Sequence, residues 1–245
     1  MSLTISSELR RIIKACAQTK ILMQLGYSKE RALKVVQLLM GLSNLEKNII
    51  YRIIHENSEV ISVRRKIMPL EFIKDRIVVV DGYNVLITVE SLMTGKPVFK
   101  CEDGIIRDIA SSYRRYRISN RTEQVLKEII SALVEYKPRE VIVVYDSLIS
   151  RSGELASITR RICRSLNASR IKVETAKKAD ETIIMYSKCG ITATSDSLII
   201  SRVSRVVDIP NYIAHKYNIK VIDIRVMLSL ELRKLITPMF TFPIM

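Results

Sequence analysis

The sequence predicts an α/β protein in which a mostly parallel sheet is covered by helices on both faces and preceded by a small all-α domain. From residue 75 onward, short runs of valine and isoleucine alternate with longer segments of helical periodicity. Strands that are apolar along almost their whole length are typical of parallel sheets packed between helices. Residues 7–66 contain helical patterns alone. We therefore expect a helical domain at 1–70 and an α/β domain at 71–245.

The helical domain is predicted from residues that begin and end helices. Ser7 is suited to begin a helix and Gly26 to end it, and Ser28 and Gly41 bracket a second helix in the same way. A third helix begins near Ser43. Three short helices joined by turns can form a helix-turn-helix-like nucleic-acid-binding unit. They can equally form a brace that packs on the main domain, and both readings stay open.

The α/β domain is predicted to contain five strands separated by helices. The strands are expected at 76–81, 140–146, 170–174, 191–195 and 219–224. The helices are expected at 105–117, 121–136, 152–167, 179–188, 208–217 and 225–236. The stretch 85–104 is long for a loop and predicts a small hairpin. No G-x-G-x-x-G follows the first strand and no P-loop occurs, which argues against dinucleotide and P-loop nucleotide sites.

Composition narrows the class of protein further. Hydrophobic residues make up 48% of the 245 residues, enough to bury a core. No apolar run reaches the roughly 18–20 residues of a membrane span, and the charged beginning of the chain does not resemble a secretory leader. We therefore expect a cytoplasmic protein without membrane contact; a homo-oligomer is left open.

Cysteine and histidine are too few and too scattered to predict a zinc site or a serine–histidine catalytic triad. No C-x-x-C pair occurs and no G-x-S-x-G precedes a helix. Reduced, buried thiols are the expected state of the cysteines. The residues concerned are Cys16, Cys101, Cys163, Cys189, His55 and His215.

The chain is strongly basic, with 40 Lys and Arg against 25 Asp and Glu and a net charge of +15. Such a surface attracts polyanions, of which nucleic acid is the commonest. A generally basic proteome or an acidic protein partner would produce the same excess. RNA is the partner that we expect.

Aspartates follow the predicted strands at one recurring place. Asp81 ends the first strand, Asp146 ends the second, Asp180 and Glu181 begin the helix after the third, and Asp196 follows the fourth. In a parallel sheet these positions share the edge formed by the carboxyl ends of the strands, where open α/β sheets bind ligands. Each aspartate alone is commonly a helix cap.

Taken together, the aspartates predict a metal site. Carboxylates crowded at one place repel one another unless a cation or a shared proton relieves them. Oxygen ligands without cysteine or histidine favour Mg²⁺ or Mn²⁺. Beside them, Gly82 is expected to let the chain turn and Asn84 to orient a water or contact a phosphate. Ser195 and Ser197 are expected to donate hydrogen bonds to Asp196 or a substrate, or to cap the following helix.

The segments VVVDGYN, VVYD, KKADETI and TATSDS occur in this order and together resemble the PIN-like nuclease superfamily, most closely its NYN branch with YacP-type members. The resemblance spans residues 77–200. The segments GYSKERALKVV, VFKCEDGIIRDI and SGELA further resemble a mainly archaeal family in which a helical domain precedes a PIN-like one.

The resemblance implies a five-stranded parallel sheet in the order 3-2-1-4-5 and one or two divalent ions. Asp81, Asp180 and Asp196 match the metal-binding acids of the superfamily, and Asp146 matches an acidic position of the YacP-like branch. Many PIN-like domains supply a further acid after the first strand. The candidates for an additional acid in this chain are Glu90, Asp103, Asp108 and Glu181.

These expectations lead to a metal-dependent endoribonuclease that hydrolyses RNA phosphodiester bonds. Two arginine-rich segments are expected to bind the RNA backbone, although a solvated helix face would show the same pattern. Their arginines are Arg114, Arg115, Arg117, Arg160, Arg161 and Arg164. The alternative is an RNA-binding module with a degenerate PIN-like site that does not cleave. A toxin of a toxin–antitoxin pair is disfavoured by the long helical region.

Overall fold

The computed structural model describes residues 6–108 and 116–236. The chain divides into two compact units. The helical unit comprises 1–61, 99–104 and 222–245, and the α/β unit comprises 62–98 and 105–221. The sequence predicted two consecutive domains with a boundary near residue 70, and this division differs from that prediction. Two later segments, 99–104 and 222–245, belong to the same unit as the N-terminal helices.

Twenty secondary-structure elements and one 3₁₀ turn at Leu70–Ile73 occur in the part of the chain described. The helices are α1 Ser7–Gln24, α2 Lys29–Met40, α3 Asn44–Ile53, α4 Asn57–Lys66, α5 Gly82–Met93, α6 Asn120–Glu135, α7 Ser152–Ser165, α8 Ala179–Ser187, α9 Ser197–Arg202, α10 Ile209–Lys216 and α11 Ile224–Ile236. The strands are β1 Ile67–Met68, β2 Ile77–Asp81, β3 Val98–Lys100, β4 Ile106–Asp108, β5 Glu140–Asp146, β6 Ile171–Ala176, β7 Ile191–Ala193, β8 Val206–Val207 and β9 Ile222–Asp223.

Side-chain caps determine where the helices of the helical unit begin. The hydroxyl of Ser6, one residue before the expected Ser7, accepts a hydrogen bond from the backbone of α1. Ser28 caps α2, and Ser43 forms a reciprocal capping box with Glu46 at the start of α3. Helix α1 packs against α2, α3 and α11. The N-terminal helices are thus confirmed, with α11 as a further member of their unit.

The central sheet has six strands in the order β1-β8-β7-β2-β5-β6, and every pair in it is parallel. The predicted order 3-2-1-4 is found for β6, β5, β2 and β7, but the prediction of a fifth and last strand at 219–224 is wrong. The two-residue strands β8 and β1 occupy that side of the sheet instead. Of the strand expected at 219–224, only Ile222 and Asp223 form a strand, β9. They pair with Phe99 and Lys100 of the helical unit.

Apolar side chains cover both faces of the sheet. Val78 and Val80 of β2 face a core cluster built with α5, α6 and α7, whereas Val79 faces a second cluster built with α8 and α9. Successive residues of a strand point to opposite faces, so a strand buried on both sides must be apolar throughout. The expected cover of helices on both faces is confirmed.

The interpretation of residues 85–117 is wrong in two places. Helix α5 begins directly after β2, so no hairpin starts at residue 85. Ten of its twelve residues are buried, and burial on nearly every side hides the 3.6-residue period. Residues 106–108 form strand β4 rather than the start of a helix. The rest of that expected helix, 109–115, lies outside the described residues.

Gly82 is required by close packing and not by a turn. It is the first residue of α5, and its φ is not among the positive values of the chain. A Cβ atom at this position would lie 2.4 Å from Cε1 of Tyr145 and 2.9 Å from the backbone oxygen of Val144. The absence of a side chain lets the start of α5 approach β5.

Replacing Gly82 with alanine is expected to destabilise the protein by about 1–3 kcal/mol, because Tyr145 or the backbone must move to accept the methyl group. Urea denaturation measures the change. Gly153→Ala is the matched control, since nothing lies within 4 Å of a Cβ there. In the helix α7 that exchange should stabilise by up to about 1 kcal/mol. Equal stability of Gly82→Ala and wild type would contradict the packing argument.

Among the described residues, no helix combines the length and the apolar character needed to cross a membrane.

Candidate functional site

The four predicted aspartates line one cavity of about 570 Å³ in the α/β unit. Asp81 and Asp146 are the last residues of the neighbouring strands β2 and β5, Asp180 lies in the first turn of α8, and Asp196 precedes α9. The cavity therefore lies at the carboxyl edge of the sheet, where the carboxyl ends of its strands meet. The remaining lining residues are Tyr83, Asn84, Leu148, Ile149, Ser150 and Ala179.

Three of the aspartates also make the local backbone contacts expected of caps. Asp81 Oδ1 accepts a hydrogen bond from Asn84 N at 3.4 Å. Asp146 Oδ1 accepts from Leu148 N at 2.8 Å, and Asp196 Oδ1 accepts from the first turn of α9. No described residue donates to Oδ2 of Asp146 or Asp196. Each of these backbone hydrogen bonds is accepted by one carboxylate oxygen only. An aspartate can therefore make such a bond and still line the cavity.

Asp180, for which helix capping was the alternative to metal binding, is the second residue of α8 and makes no capping bond. No described residue donates a hydrogen bond to its carboxylate. Its charge therefore depends on the groups around the cavity.

The four carboxylates influence one another electrostatically. Burial raises the pKa of Asp81 to about 7, and the charges of Asp196 and Asp180 add to this rise, whereas hydrogen bonds from Thr194 and Asn84 oppose it. Burial, followed by the charges of Asp196 and Asp146, also raises the pKa of Asp180. Like charges at one place favour a shared proton or a bound cation.

The polar residues beside Asp81 are held by a buried network. Thr194 Oγ1 donates to Asp81 Oδ2 at 2.8 Å. The hydroxyl of Ser195 donates to Asn84 Oδ1, and both residues are buried. This bond orients the Asn84 carboxamide, which lines the cavity. Ser195, which was expected to donate to Asp196 or a substrate, donates to Asn84 instead.

Arg107 is a positioning residue that the sequence interpretation missed. It is buried, its Nε donates to the backbone oxygen of Ser195 at 2.8 Å, and its Nη2 donates to Ser197 Oγ at 3.4 Å. The segment that carries Asp196 is thereby tied to β4. Arg107 had been placed on an expected helix, and only its apolar neighbours in IIRDI could have indicated a buried arginine. Thr194, which lies within TATSDS, is a second residue of the site for which the sequence predicted no role.

The candidates for an additional acid do not line the cavity. Asp103 is buried in the helical unit, where its Oδ2 lies 3.6 Å from Nε2 of His55. Asp108 is buried at the end of β4. Glu181 is exposed and pairs with Lys178 at 3.1 Å. Glu90 contacts Tyr116.

The predicted backbone-binding arginines are found in different settings. Arg114 and Arg115 lie outside the described residues, and Arg117 is exposed. Arg161 pairs with Glu123 at 2.5 Å. The remaining two, Arg160 and Arg164, line a second cavity of about 580 Å³ that contains none of the four aspartates.

The donor set fits a hard divalent cation that keeps much of its water shell. In the described ranges, no three Asp, Glu, His or Cys side chains form a ready-made metal cage. Mg²⁺ commonly binds through one or two carboxylates and retains several waters. Carboxylate oxygens without a competing lysine or arginine among the described lining residues suit such an ion.

Fold and cavity define a class: an α/β protein with a parallel sheet and an acidic site at its carboxyl edge. The chain belongs to the family described as Domain of unknown function (DUF5616), whose profile matches residues 70–212. It is similar to "Uncharacterized protein MJ0935" of Methanocaldococcus jannaschii, with 32% identity over 202 residues, 81% of this chain and 94% of that protein. No solved structure matches the chain.

The raised pKa of Asp81 predicts a pH-dependent stability. Between about pH 4 and about pH 7 the folded state holds a proton that the unfolded chain releases, so stability falls as pH rises across this window. Asp81→Asn removes this loss. Relative to wild type, the variant should gain more than about 1 kcal/mol between pH 5 and pH 8, since one pKa unit corresponds to about 1.4 kcal/mol.

Urea denaturation in EDTA at a series of pH values measures this difference. Glu71→Gln is the matched control, because Glu71 is exposed and its side chain makes no hydrogen bond or ion pair with a described residue. Parallel stability curves for wild type and Asp81→Asn would contradict the buried, repelled state of this carboxylate.

Proposed function

We propose that this protein is a member of the PIN-like nuclease superfamily, closest to its NYN branch, and hydrolyses RNA phosphodiester bonds with Mg²⁺ or Mn²⁺. One observation carries the proposal: four separate elements bring Asp81, Asp146, Asp180 and Asp196 to one cavity. Keeping mutually repelling carboxylates together lowers stability unless the site uses a cation. We also place this activity in the cytoplasm.

Asp81, Asp180 and Asp196 would hold the ion, one or two of them directly and the rest, with Asp146 in support, through its water shell. When bound, such an ion stabilises charge on a transferring phosphate and lowers the pKa of a bound water. No lysine or arginine among the described lining residues competes for the carboxylates. The negative charge of the lining aspartates would therefore be available to a bound cation.

The chain's own residues supply positioning. In the cavity without a cation, burial raises the pKa of Asp81 to about 7, so that a bound ion would displace a proton from this carboxylate near neutral pH. Asn84 accepts from Ser195 through Oδ1, which leaves its amide Nδ2 to donate to a phosphate oxygen. Arg107 holds the Ser195–Ser197 segment in place. The net charge of +15 draws a polyanionic substrate toward the protein.

Asp81→Asn is expected to reduce Mn²⁺-dependent cleavage of single-stranded RNA at least about a hundredfold, because a neutral amide replaces a carboxylate that would hold the ion. Gel analysis of a labelled RNA measures the cleavage, and circular dichroism verifies the fold. Glu71→Gln, which removes a distant exposed carboxylate, should cleave like wild type. Undiminished cleavage by Asp81→Asn would refute the assignment of the site.

A second candidate function is RNA binding without cleavage. The observation that favours it is the set of expected additional acids, since Asp103, Asp108 and Glu181 do not line the cavity. A site with too few ligands would bind a metal poorly. Tight RNA binding by the wild type with no cleavage in Mg²⁺, Mn²⁺, Co²⁺ or Zn²⁺ would select this function over hydrolysis.

A further inference from the structure

The edge of the six-stranded sheet opposite the acidic cavity carries a row of cations. Arg205, Arg76, Arg139 and Arg170 each stand immediately before a strand, namely β8, β2, β5 and β6, and Lys188 precedes β7. Because all strands are parallel, these residues share the edge formed by the amino ends of the strands. All five side chains are exposed. We call these five residues the amino-edge row.

Backbone hydrogen bonds confirm the lateral arrangement of the row. The backbone oxygen of Arg76 accepts from Arg139 N at 2.9 Å, and that of Arg170 accepts from Val141 N of the neighbouring strand at 2.9 Å. Adjacent strands lie about 4.8 Å apart, so the row extends over roughly 20 Å. That length spans several phosphates of a nucleic-acid strand.

Exposed cations of the α/β unit fall into two groups within the described ranges. Some pair with a carboxylate, as in Arg151–Glu154 and Lys178–Glu181, whereas others, such as Lys74 and Arg202, do not. None of the five row residues forms an ion pair within the described ranges. Glu140, which follows Arg139, is itself paired with Lys172. The charge of the row is therefore uncompensated by salt bridges.

A concave surface adjoins the row at its β6 end. Two cavities of about 580 and 180 Å³ share residues of the 167–171 loop. Arg160 and Arg164 line the larger cavity, and Lys137 and Arg170 line the smaller one. No described carboxylate lines either cavity. The cations thus surround a hollow and are not scattered over a convex face.

Two of these guanidinium groups are held in place. Arg160 Nη2 donates to the backbone oxygen of Val173 at 2.7 Å, and Arg170 Nη1 donates to that of Pro138 at 3.1 Å. Each group keeps further N–H donors for a ligand. Side chains that are already oriented lose less conformational entropy when they bind.

Helix dipoles explain only part of this charge. Cations near a helix C-terminus contribute about 0.3–1 kcal/mol of stability, which accounts for Arg164 at the end of α7 and Lys188 after α8. Arg139 and Arg205 lie four and three residues beyond the ends of α6 and α9, and Arg76 follows the 3₁₀ turn, so all three lie outside the last helical turn, where the dipole effect is strongest. Arginine binds phosphate through a planar pair of donors.

We propose that the amino edge binds the phosphate backbone of single-stranded RNA at a site separate from the acidic cavity. The arginines of the row lie in a line, and a cationic hollow adjoins one end of it. Successive arginines could therefore each contact one phosphate of an extended strand. Affinity for such a ligand increases with every phosphate neutralised. The inference stands on the amino edge alone and does not require hydrolysis at the carboxyl edge.

The test compares two variants that lose the same charge. Arg76→Gln/Arg139→Gln/Arg205→Gln removes three row cations whose side chains make no hydrogen bond within the described residues. Arg31→Gln/Lys34→Gln/Lys47→Gln removes three cations of the helical unit. Fluorescence anisotropy of a labelled 20-nucleotide oligouridylate, measured in EDTA over a salt series, gives the affinity without any cleavage.

The row variant is expected to bind more than tenfold more weakly at about 0.1 M salt. Its dependence of log K on log salt should become shallower by about 2, since each phosphate contact to a single strand contributes about 0.7. The helical-unit variant should change affinity less than about threefold. Asp81→Asn should bind like wild type, which separates this site from the proposed catalytic one.

Equal losses in both triple variants would overturn the proposal, because attraction would then depend on bulk charge. Unchanged RNA affinity of the row variant would overturn it as well and would favour an acidic protein partner. If the triple variant fails to fold, Lys137→Gln/Arg164→Gln tests the same edge. Neither of those side chains makes a hydrogen bond within the described residues, and the double variant should weaken RNA binding about fivefold.

Discussion

The parallel pairing of β2 with β5 and β7 is the constraint on which the rest of the α/β unit depends. Val78, Val79 and Val80 are paired on both sides and buried on both faces. Because these strands run in one direction, whatever follows them reaches the carboxyl edge and whatever precedes them reaches the amino edge. Asp81 is the last residue of the five-residue strand β2, and Arg76 immediately precedes its first residue. One geometric constraint thus separates the acidic cavity from the amino-edge row.

The long strands and the acidic site could be predicted because their signals are local. Runs such as VVVD and VIVVYD mark buried strands and place their own terminal aspartates. Strands β1 and β8 could not be predicted, since two residues carry no periodicity. The pairing of Phe99 with Ile222 joins segments more than a hundred residues apart, and no local pattern indicates it. Arg107 was missed for the same reason, because its partners lie 88 and 90 residues away.

Asp81 shows how the fold and the proposed chemistry are coupled. A strand buried on both faces delivers its last carboxylate into a region of low dielectric, which raises the pKa of that group. Thr194 and Asn84 supply hydrogen bonds that favour the charged form, yet burial remains the larger effect. The same burial that stabilises β2 therefore makes Asp81 a proton acceptor near neutral pH. Asp81 lies beside β5 because it pairs with Val144, and the next residue, Gly82, approaches Tyr145 of the same strand closely.

A metal ion in the cavity would compete with a proton. Burial raises the pKa of Asp81 to about 7, and repulsion from Asp196 and Asp180, which a cation would relieve, adds to this rise. Binding of such an ion would therefore release protons and strengthen as pH rises. The described residues that line the cavity offer no cationic side chain as a substitute. The negative charge of these lining residues is therefore uncompensated among themselves, whereas the amino-edge row carries positive charge without ion pairs in the described ranges.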